Sequence, residues 1–231
     1  MRGRRAPLFL VPGSSQPFPD PRSADDEGLV AIGGDLEPSR LLEAYRCGIF
    51  PWFDEGMPPL WWSPNPRAIL ELPNLHVSRS LRRATRRMEF QLTFNQAFER
   101  VIVACGERQE GTWIVPEMVR AYTTLHRLGA AHSLEVWRAG ELVGGLYGVQ
   151  VGALFAAESM FHAVTGASKV ALVAAIRSLS QAGVLLFDVQ FLTSHLASMG
   201  AIEVTRDEYL RRVAEATARA ADLSDAKPSF G

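Results

Sequence analysis

The chain has few of the features that mark secreted, disulfide-stabilised or membrane proteins. Only two of its 231 residues are cysteines, Cys47 and Cys105, and their separation fits no metal-ligand spacing. No apolar run approaches the roughly 18 residues that a membrane-spanning helix needs. The basic residues at 1–5 are followed by prolines rather than by the apolar core of a signal peptide. We therefore expect a cytoplasmic chain with free thiols and no association with membranes.

Several catalytic signatures are absent as well. The sequence has no G-x-x-x-x-G-K-[ST] P-loop, no H-E-x-x-H and no G-x-S-x-G, and Gly33-Gly34 lacks the spacing of a dinucleotide-binding loop. The loop with which many acyltransferases grip the pyrophosphate of CoA is missing from its place between strand and helix. These absences disfavour phosphoryl transfer, redox chemistry, metallohydrolysis and the use of CoA. We expect neither a metal site nor a cofactor.

The overall charge favours no particular partner. The 24 basic and 25 acidic residues leave a formal net charge of -1. Apolar residues make up 47% of the chain and charged residues 21%, which is typical of a globular protein. The mean charge argues against a protein that binds nucleic acid, but averages hide local patches, so the distribution of charge has to decide.

The distribution of proline and tryptophan divides the chain near residue 63. Residues 1–63 are rich in proline and hold three of the five tryptophans. Beyond this point helical and strand patterns alternate. We predict the α+β class, with a small N-terminal domain at 1–63 and a C-terminal domain at 64–231 in which helices flank a mixed sheet.

Apolar periodicity predicts the main elements. Alternation predicts an antiparallel meander of three strands at 132–139, 141–150 and 153–161. Further strands are predicted at 89–94 and 184–190. Helices are predicted where a 3.6-residue period is bounded by Pro, Gly or a capping residue: 38–48, 78–88 (capped by Ser78), 95–106, 116–129, 168–183, and from the Thr205/Glu208 capping box to about Leu223.

One predicted helix carries a stripe of arginines without acidic neighbours. No Asp or Glu lies between residues 79 and 88, and the arginines recur at helical spacing. Guanidinium groups without counterions suit a phosphate backbone. A solvated face that pairs with acids from elsewhere in the fold is the alternative. The arginine stripe consists of Arg79, Arg82, Arg83, Arg86 and Arg87.

Aromatic residues concentrate in proline- and glycine-rich segments. Trp52, Phe53, Trp61, Trp62 and Trp113 all lie in such contexts. Aromatic side chains placed in this way commonly wall an apolar ligand pocket. For any single tryptophan, a place in the core of the small domain is the simpler account.

Three polar residues interrupt strands that are otherwise apolar. Glu158 lies within the predicted strand at 153–161, and Asp188 and Gln190 lie two apart at the end of the strand at 184–190. Residues two apart on a strand share a face. A buried carboxylate is costly unless it is paired. On the residues alone, a structural ion pair and a catalytic role explain Asp188 equally well.

Several segments of the sequence, taken in order along the chain, resemble those of the bacterial leucyl/phenylalanyl-tRNA–protein transferases. The resemblance runs from about Gly28 to Tyr209. It rests on segments that are long and unusual in composition: GLVAIGGDL, AYRCGIFPWF, LWWSPNPRAIL, EGTWI, HSLEVW, ELVGGLYGV, GALFAAESMF, ASKVAL and FDVQFLTSHLASMGA.

The resemblance implies a fold and a reaction. It implies that the C-terminal domain resembles the GCN5-type acyltransferase fold without its CoA loop. It also implies transfer of Leu or Phe, and less readily Met, from aminoacyl-tRNA to proteins that begin with Arg or Lys. Such transfer marks the acceptor for degradation by the N-degron route. We expect the enzyme to act as a monomer and not to bind DNA.

The resemblance also implies roles for individual residues. Asp188 and Gln190 match the family's catalytic pair, in which the Asp polarises the Gln and the Gln carbonyl oxygen draws a proton from the acceptor amine. Glu158 matches its pocket carboxylate, and the arginine stripe matches its basic surface for the tRNA acceptor arm. The residues that match its apolar pocket for the Leu or Phe side chain are Trp52, Trp113, Leu146, Phe155 and Leu172.

Two other functions remain as alternatives. A transferase of the peptidoglycan-bridge type also takes amino acids from tRNA, but it would be expected to carry a long inserted helical arm, and none is predicted here. A non-catalytic tRNA-binding module would explain the arginine stripe. It would not explain why Asp188 and Gln190 lie together on one strand face.

Overall fold

The computed structural model describes residues 7–79, 81–83, 89–107, 112–224, 226–228 and 230. Two β-sheets with packed helices account for most of these residues, which confirms the predicted α+β class. No helix among the described residues is long and apolar enough to cross a bilayer.

The first sheet has four short strands, all of which lie before Ser63. Its order is β1-β2-β4-β3, in which β1 runs parallel to β2 and the other pairs are antiparallel. One helix, α1 (Pro38–Arg46), joins the second strand to the third. The strands are β1 (Leu8–Leu10), β2 (Leu29–Gly33), β3 (Phe50–Pro51) and β4 (Leu60–Trp62).

The second sheet has seven strands in the order β11-β5-β10-β9-β8-β7-β6. Only β9 and β10 pair in parallel, and the predicted meander is confirmed as β7–β8–β9. The strands are β5 (Arg67–Leu70), β6 (Gln91–Phe94), β7 (Ala131–Arg138), β8 (Glu141–Val151), β9 (Leu154–His162), β10 (Leu186–Gln190) and β11 (Ala201–Val204).

Five further helices pack around this sheet. They are α2 (Phe98–Gly106), α3 (Pro116–Arg127), α4 (Ala167–Gln181), α5 (Ser194–Ser198) and α6 (Arg206–Thr217). Residues 79 and 81–83 are also helical, and Ser78 caps them by accepting from the Leu81 backbone N–H at 3.1 Å. Residues 80 and 84–88, where the rest of that helix is predicted, lie outside the described residues.

Two helices differ from their predicted bounds. The helix predicted at 95–106 begins only at Phe98, because Asn95 adopts a left-handed φ of 59° and its side chain bonds to the edge of β7. The last helix ends at Thr217 rather than near Leu223. There the Ala216 carbonyl accepts from the Ala153 backbone N–H at 2.9 Å, so a tertiary contact diverts the chain.

The apolar core lies on both faces of the second sheet. On one face α4 is almost entirely buried. On the other face α2 and α3 cover the sheet, and the same apolar cluster continues into the first sheet through residues such as Val30 and Trp61. The four-stranded sheet therefore shares a core with α2 and α3 instead of enclosing one of its own.

Candidate active site

A cavity of about 430 Å³ opens where the ends of β9 and β10 meet β3 of the first sheet. Glu158 and Gln190 supply polar groups to its wall, and Trp52 and Trp113 supply aromatic ones. Because β9 and β10 run parallel, with Asp188 opposite Ala156, Glu158 and Gln190 reach the cavity from corresponding positions on neighbouring strands. His195, from α5, also lines the cavity.

The last residues of β10 depart from regular strand geometry. The pairing with β5 shifts register between Asp188 and Gln190, and Gln190 adopts a left-handed φ of 57°. A non-glycine residue rarely adopts this conformation unless its surroundings hold it there. The Gln190 backbone N–H donates to Asp188 Oδ1 at 3.0 Å, so the Asp188 carboxylate stabilises the bend.

Asp188 is fully buried and forms an ion pair with Arg67 of β5. Arg67 Nε donates to Asp188 Oδ1 at 2.8 Å, and Arg67 Nη2 donates to Oδ2 at 2.6 Å. The Tyr209 hydroxyl, from α6, also donates to Oδ2 at 2.8 Å. Neither side chain reaches solvent: the exposed fractions are 1% for Arg67 and 0% for Asp188. The structural ion pair considered from the sequence is therefore present, and the Asp188 carboxylate contacts the backbone of Gln190.

Two aromatic rings enclose the Arg67 guanidinium. Its central carbon lies 4.5 Å from the ring centroid of Phe50 and 4.5 Å from that of Tyr209. Burial by itself lowers the pKa of Arg67, but the charge of Asp188, its hydrogen bonds with Arg67 and the nearby Tyr209 and Glu158 together outweigh this, so the net shift is upward. Arg67 therefore stays charged, and it neutralises Asp188 inside the protein.

Glu158 belongs to a second buried hydrogen-bond network. Tyr122 donates to Glu158 Oε2 at 3.2 Å, and the Gln190 side-chain amide donates to Oε1 at 3.2 Å. The hydroxyl of Tyr45 lies 2.5 Å from that of Tyr122. Since Tyr122 uses its proton for Glu158, Tyr45 is the donor in that pair. One network of hydrogen bonds thus connects Glu158 of β9 with Tyr122 of α3, Tyr45 of α1 and Gln190 of β10.

Burial controls the protonation of this network. Burial raises the pKa of Glu158 from 4.5 to about 8; the hydroxyl groups of Tyr45 and Tyr122 lower it, and the Asp188 charge raises it. Burial also raises the pKa of Tyr45 and that of Tyr122 well above their ordinary value. The two tyrosines therefore remain donors, and Glu158 titrates near neutral pH.

The aromatic wall is fixed by local contacts. Trp52 has an exposed fraction of 41%, and its ring lies 5.3 Å from that of Phe191, the residue after Gln190. The Trp62 indole N–H donates to the Trp52 carbonyl at 2.7 Å. Trp113 is half-buried and lies in a tight turn in which the Val115 backbone N–H donates to its carbonyl at 3.0 Å.

The structure brings together only part of the predicted apolar pocket. Trp52, Trp113 and Glu158 line the cavity, as does Gln190. The other three residues are at most 1% exposed and lie in the core around α4, away from the cavity wall: Leu146, Phe155 and Leu172.

The described arginines of the stripe are separate from the cavity. Arg79, Arg82 and Arg83 are helical and exposed to solvent. Arg86 and Arg87 lie outside the described residues. A phosphate backbone would find three guanidinium groups on one short helical surface.

Sequence reasoning missed several residues of the two networks. Arg67 begins the otherwise apolar strand β5, and a charge next to a buried apolar run was a signal that could have marked it, although nothing local identifies Asp188 as its partner. Tyr45 and Tyr122 lie on amphipathic helices and look like ordinary core residues, so nothing in the pattern marked them. His195 lies in a short polar segment without a spacing signal.

Comparison with known proteins places the chain in a family. The family model described as "Leucyl/phenylalanyl-tRNA protein transferase" matches residues 69–214, and the model of that family's N-terminal domain matches residues 34–65. A protein of this name from Anaeromyxobacter dehalogenans is 55% identical over 214 residues, covering 91% of each chain. Another, from Proteus mirabilis, is 52% identical over 206 residues, covering 88% of this chain and 90% of its own.

Solved structures give only distant likenesses. The C-terminal domain of a putative lysylphosphatidylglycerol synthetase from Agrobacterium fabrum matches with a TM-score of 0.40 and 11% identity, over 73% of this chain and 56% of its own. L-PGS from Bacillus licheniformis matches with a TM-score of 0.39 and 14% identity, over 73% and 57%. Neither likeness is close enough to bear on function. The family models and the curated relatives confirm the resemblance seen in the sequence motifs: the chain belongs to the leucyl/phenylalanyl-tRNA protein transferase family.

Proposed function

We propose that this chain transfers Leu or Phe, and less readily Met, from aminoacyl-tRNA to the N-terminal Arg or Lys of an acceptor protein, marking it for the N-degron route. The observation that carries the proposal is the cavity itself, in which two tryptophans face Glu158 and Gln190. An apolar wall opposite a few convergent polar groups suits a ligand with an apolar side chain and a reacting polar end.

The chemistry needs only positioning and proton transfer. The ester bond of an aminoacyl-tRNA is already activated, so the transfer requires no ATP. The acceptor α-amine has a pKa of roughly 7.7–8, so about a tenth of it or more is neutral at pH 7. Holding this amine against the ester carbonyl carbon supplies much of the rate enhancement.

Within this proposal Gln190 orients the acceptor amine and Asp188 orients Gln190. Asp188 acts through the backbone, because its carboxylate accepts from the Gln190 backbone N–H and is otherwise occupied by Arg67 and Tyr209. The side-chain amide of Gln190 remains at the cavity wall.

Trp52 and Trp113 form the wall against which the Leu or Phe side chain packs. A role for Leu146, Phe155 and Leu172 in selecting that side chain stays a prediction, and their burial limits it to shaping the wall from behind. We assign the acceptor arm of the tRNA to the arginine stripe. We further propose a cytoplasmic monomer that does not bind DNA and that divides into domains near residue 63.

One transfer assay tests the reaction. The protein is incubated with radiolabelled leucyl-tRNA and a peptide that begins with Arg, and label in the peptide is measured. A peptide of the same sequence with an acetylated N-terminus is the matched control. Label in the free-amine peptide alone is expected, because only that peptide offers a nucleophile. Equal, background label in both peptides would contradict the proposal.

The same assay separates the alternatives. A non-catalytic tRNA-binding module would bind leucyl-tRNA and leave both peptides unlabelled. A transferase of the peptidoglycan-bridge type would label a muropeptide that carries a free lysine amine in preference to the Arg peptide. Hydrogen bonds join Gln190 to Glu158 and to Asp188 at the cavity. This arrangement favours transfer to an N-terminal Arg over the two alternatives, so the assay with the Arg peptide comes first.

A further inference from the structure

We propose that Glu158, in the reaction proposed above, carries one proton from the attacking α-amine to the departing ribose oxygen of the tRNA. This makes Glu158 a catalytic residue as well as a contact for substrate. The proposal rests on the geometry around the carboxyl groups near the cavity, and it depends on the transfer reaction.

Asp188 is not available for this task. Arg67 and Tyr209 occupy its carboxylate oxygens from one side, and the Gln190 backbone N–H occupies Oδ1 from the other. Its side chain has no exposure to the cavity. A proton placed on Asp188 would leave the buried Arg67 charge without its partner, which is strongly unfavourable.

Gln190 is not a proton carrier either. A carboxamide is a very weak base, and its side-chain N–H₂ group already donates to Glu158 at 3.2 Å. This contact places the amide of Gln190 beside the carboxyl of Glu158. An amine held by Gln190 therefore lies next to the group that is to receive its proton.

Glu158 combines access with suitable basicity. It lines the cavity and is half-buried, so a substrate can reach it. Burial raises its pKa to about 8. This lies beside the pKa of roughly 7.7–8 of the acceptor amine, so proton exchange between the two groups needs little energy. A carboxyl with its ordinary pKa would be a much weaker base.

The step balances with a single proton. The neutral amine nitrogen attacks the ester carbonyl carbon and forms the new C–N bond, and one N–H proton passes to the Glu158 carboxylate. The C–O ester bond then breaks, and the departing ribose oxygen takes that proton from Glu158. The products are an amide and a tRNA with a free terminal hydroxyl, and Glu158 returns to its ionised form.

Groups from four neighbouring elements set the titration of Glu158. The hydroxyl groups of Tyr45 on α1 and Tyr122 on α3 lower its pKa: Tyr122 donates to the carboxylate, and Tyr45 donates to Tyr122. The Asp188 charge on β10 raises it, and the Arg67 charge on β5 lowers it. Because Asp188 and Arg67 form an ion pair, a change in either one disturbs both. Substituting a tyrosine therefore alters the pKa of Glu158 most selectively.

The first experiment measures the pH dependence of kcat/KM for the Arg peptide, which reports free enzyme and free substrate. In the wild type both the peptide amine and Glu158 must lose a proton, so the logarithm of the rate should rise with a limiting slope of about two below pH 7. Glu158→Gln keeps the shape and hydrogen-bonding capacity of the side chain. We expect a slope of about one and a loss of about 10²-fold or more in the plateau rate.

The second experiment moves the titration without removing the carboxyl. Tyr122→Phe deletes one of the hydrogen bonds that lower the pKa of Glu158, so the enzyme's own midpoint should shift to higher pH. His195→Asn serves as the comparison, because His195 is the other titratable group among the described residues of the cavity wall. With Glu158 as carrier, this variant keeps the slope of about two.

The outcomes separate the two proposals. If the wild type labels no peptide, the transfer function itself fails. If the wild type is active but Glu158→Gln keeps its slope and rate, the proton-carrier role is overturned. If the slope of log kcat/KM against pH falls to about one in His195→Asn and not in Glu158→Gln, His195 is the proton carrier. Melting temperatures of each variant confirm that folded proteins are compared.

Discussion

At the residue scale, the buried pair of Arg67 and Asp188 links the stability of the fold to the geometry of the site. Two charges lie where water does not reach, and each is satisfied mainly by the other. Removing one partner leaves the other charge buried and unpaired, whereas removing both charges leaves no buried charge without a partner. Because Asp188 also holds the backbone of Gln190, stability and positioning depend on the same carboxylate.

A double-mutant cycle on this pair should show strong coupling. Arg67→Met and Asp188→Asn should each lower the free energy of unfolding by about 3–5 kcal/mol, because each strands a buried group. The double variant should lose much less than the two losses combined. Urea denaturation of the four proteins measures this. Additive losses would mean that the two charges act independently.

A separate prediction concerns Trp113 in the cavity wall. Trp113→Ala should weaken binding of leucyl-tRNA, because a large apolar surface is lost from the cavity wall, and should change binding of uncharged tRNA much less. Trp137→Ala is the matched control, since Trp137 is also half-buried but bonds to Thr93 outside the cavity. Filter binding with both tRNAs measures the difference. Equal losses for both ligands would make Trp113 a structural residue.

The sequence was informative about residue types at the site and less so about their partners. The polar residues that interrupt apolar strands, Glu158, Asp188 and Gln190, lie together where β9 and β10 end. The bend at Gln190 was not predictable, because it comes from a tertiary register shift against β5. Arg67 lies 121 positions from Asp188, and no local pattern pairs residues so distant.

At the element scale, a buried histidine ties the meander to the turn before α2. Asn95 Nδ2 lies 2.9 Å from His132 Nδ1, and His132 Nε2 lies 3.1 Å from Gln150 Oε1. A neutral imidazole fits both contacts, because it accepts from the Asn95 amide and donates to the Gln150 carbonyl oxygen. Burial lowers the pKa of His132 from 6.5 to about 4.

The shifted titration of His132 predicts acid sensitivity. Between pH 6.5 and about pH 4 the unfolded chain binds a proton at this residue and the folded chain does not. The free energy of unfolding should therefore fall as the pH drops through this window and should gain nothing from His132 above it. His132→Gln should show a weaker pH dependence, measured by urea denaturation. His162→Gln, at an exposed position, is the control; an unchanged dependence in His132→Gln would contradict the assignment.

Local pattern predicted the elements better than their ends. Alternation gave the three strands of the meander, since their side chains face two different environments. The end of α6 was wrong because the Ala216 carbonyl bonds to Ala153 of a distant loop, which a local helical pattern does not contain. Helix α4 is buried on nearly all sides, and its position was predicted from its apolar residues and from the glycine that follows it.

At the scale of the whole molecule, a net charge near zero conceals an uneven surface. On α6 and just after it, several arginines pair with glutamates one turn away, as in the pairs of Arg211 with Glu208 and Arg219 with Glu215. The described residues of the arginine stripe are exposed, and the sequence from 79 to 88 offers no acid. Counterion release from such exposed guanidinium groups would favour the binding of a polyanion here.

A charge-matched comparison tests this surface. Changing Arg79, Arg82 and Arg83 to Ala should weaken tRNA binding and flatten its salt dependence, because fewer counterions are released. Removing the same charge by changing Arg120, Arg211 and Arg219 to Ala should have a much smaller effect, since these arginines are paired with acids. Binding is measured at several salt concentrations. Equal effects of the two triple variants would point to overall charge rather than to the stripe.

The core that the first sheet shares with α2 and α3 has a consequence for biosynthesis. Val30 and Trp61 leave the ribosome early, but their apolar partners extend to Ala156. At about 5–20 residues per second, the intervening chain takes roughly 5 to 20 seconds to appear. During that interval the nascent sheet exposes its apolar side to solvent, so holdase chaperones that bind such surfaces would engage this sheet before the remainder of the chain exists.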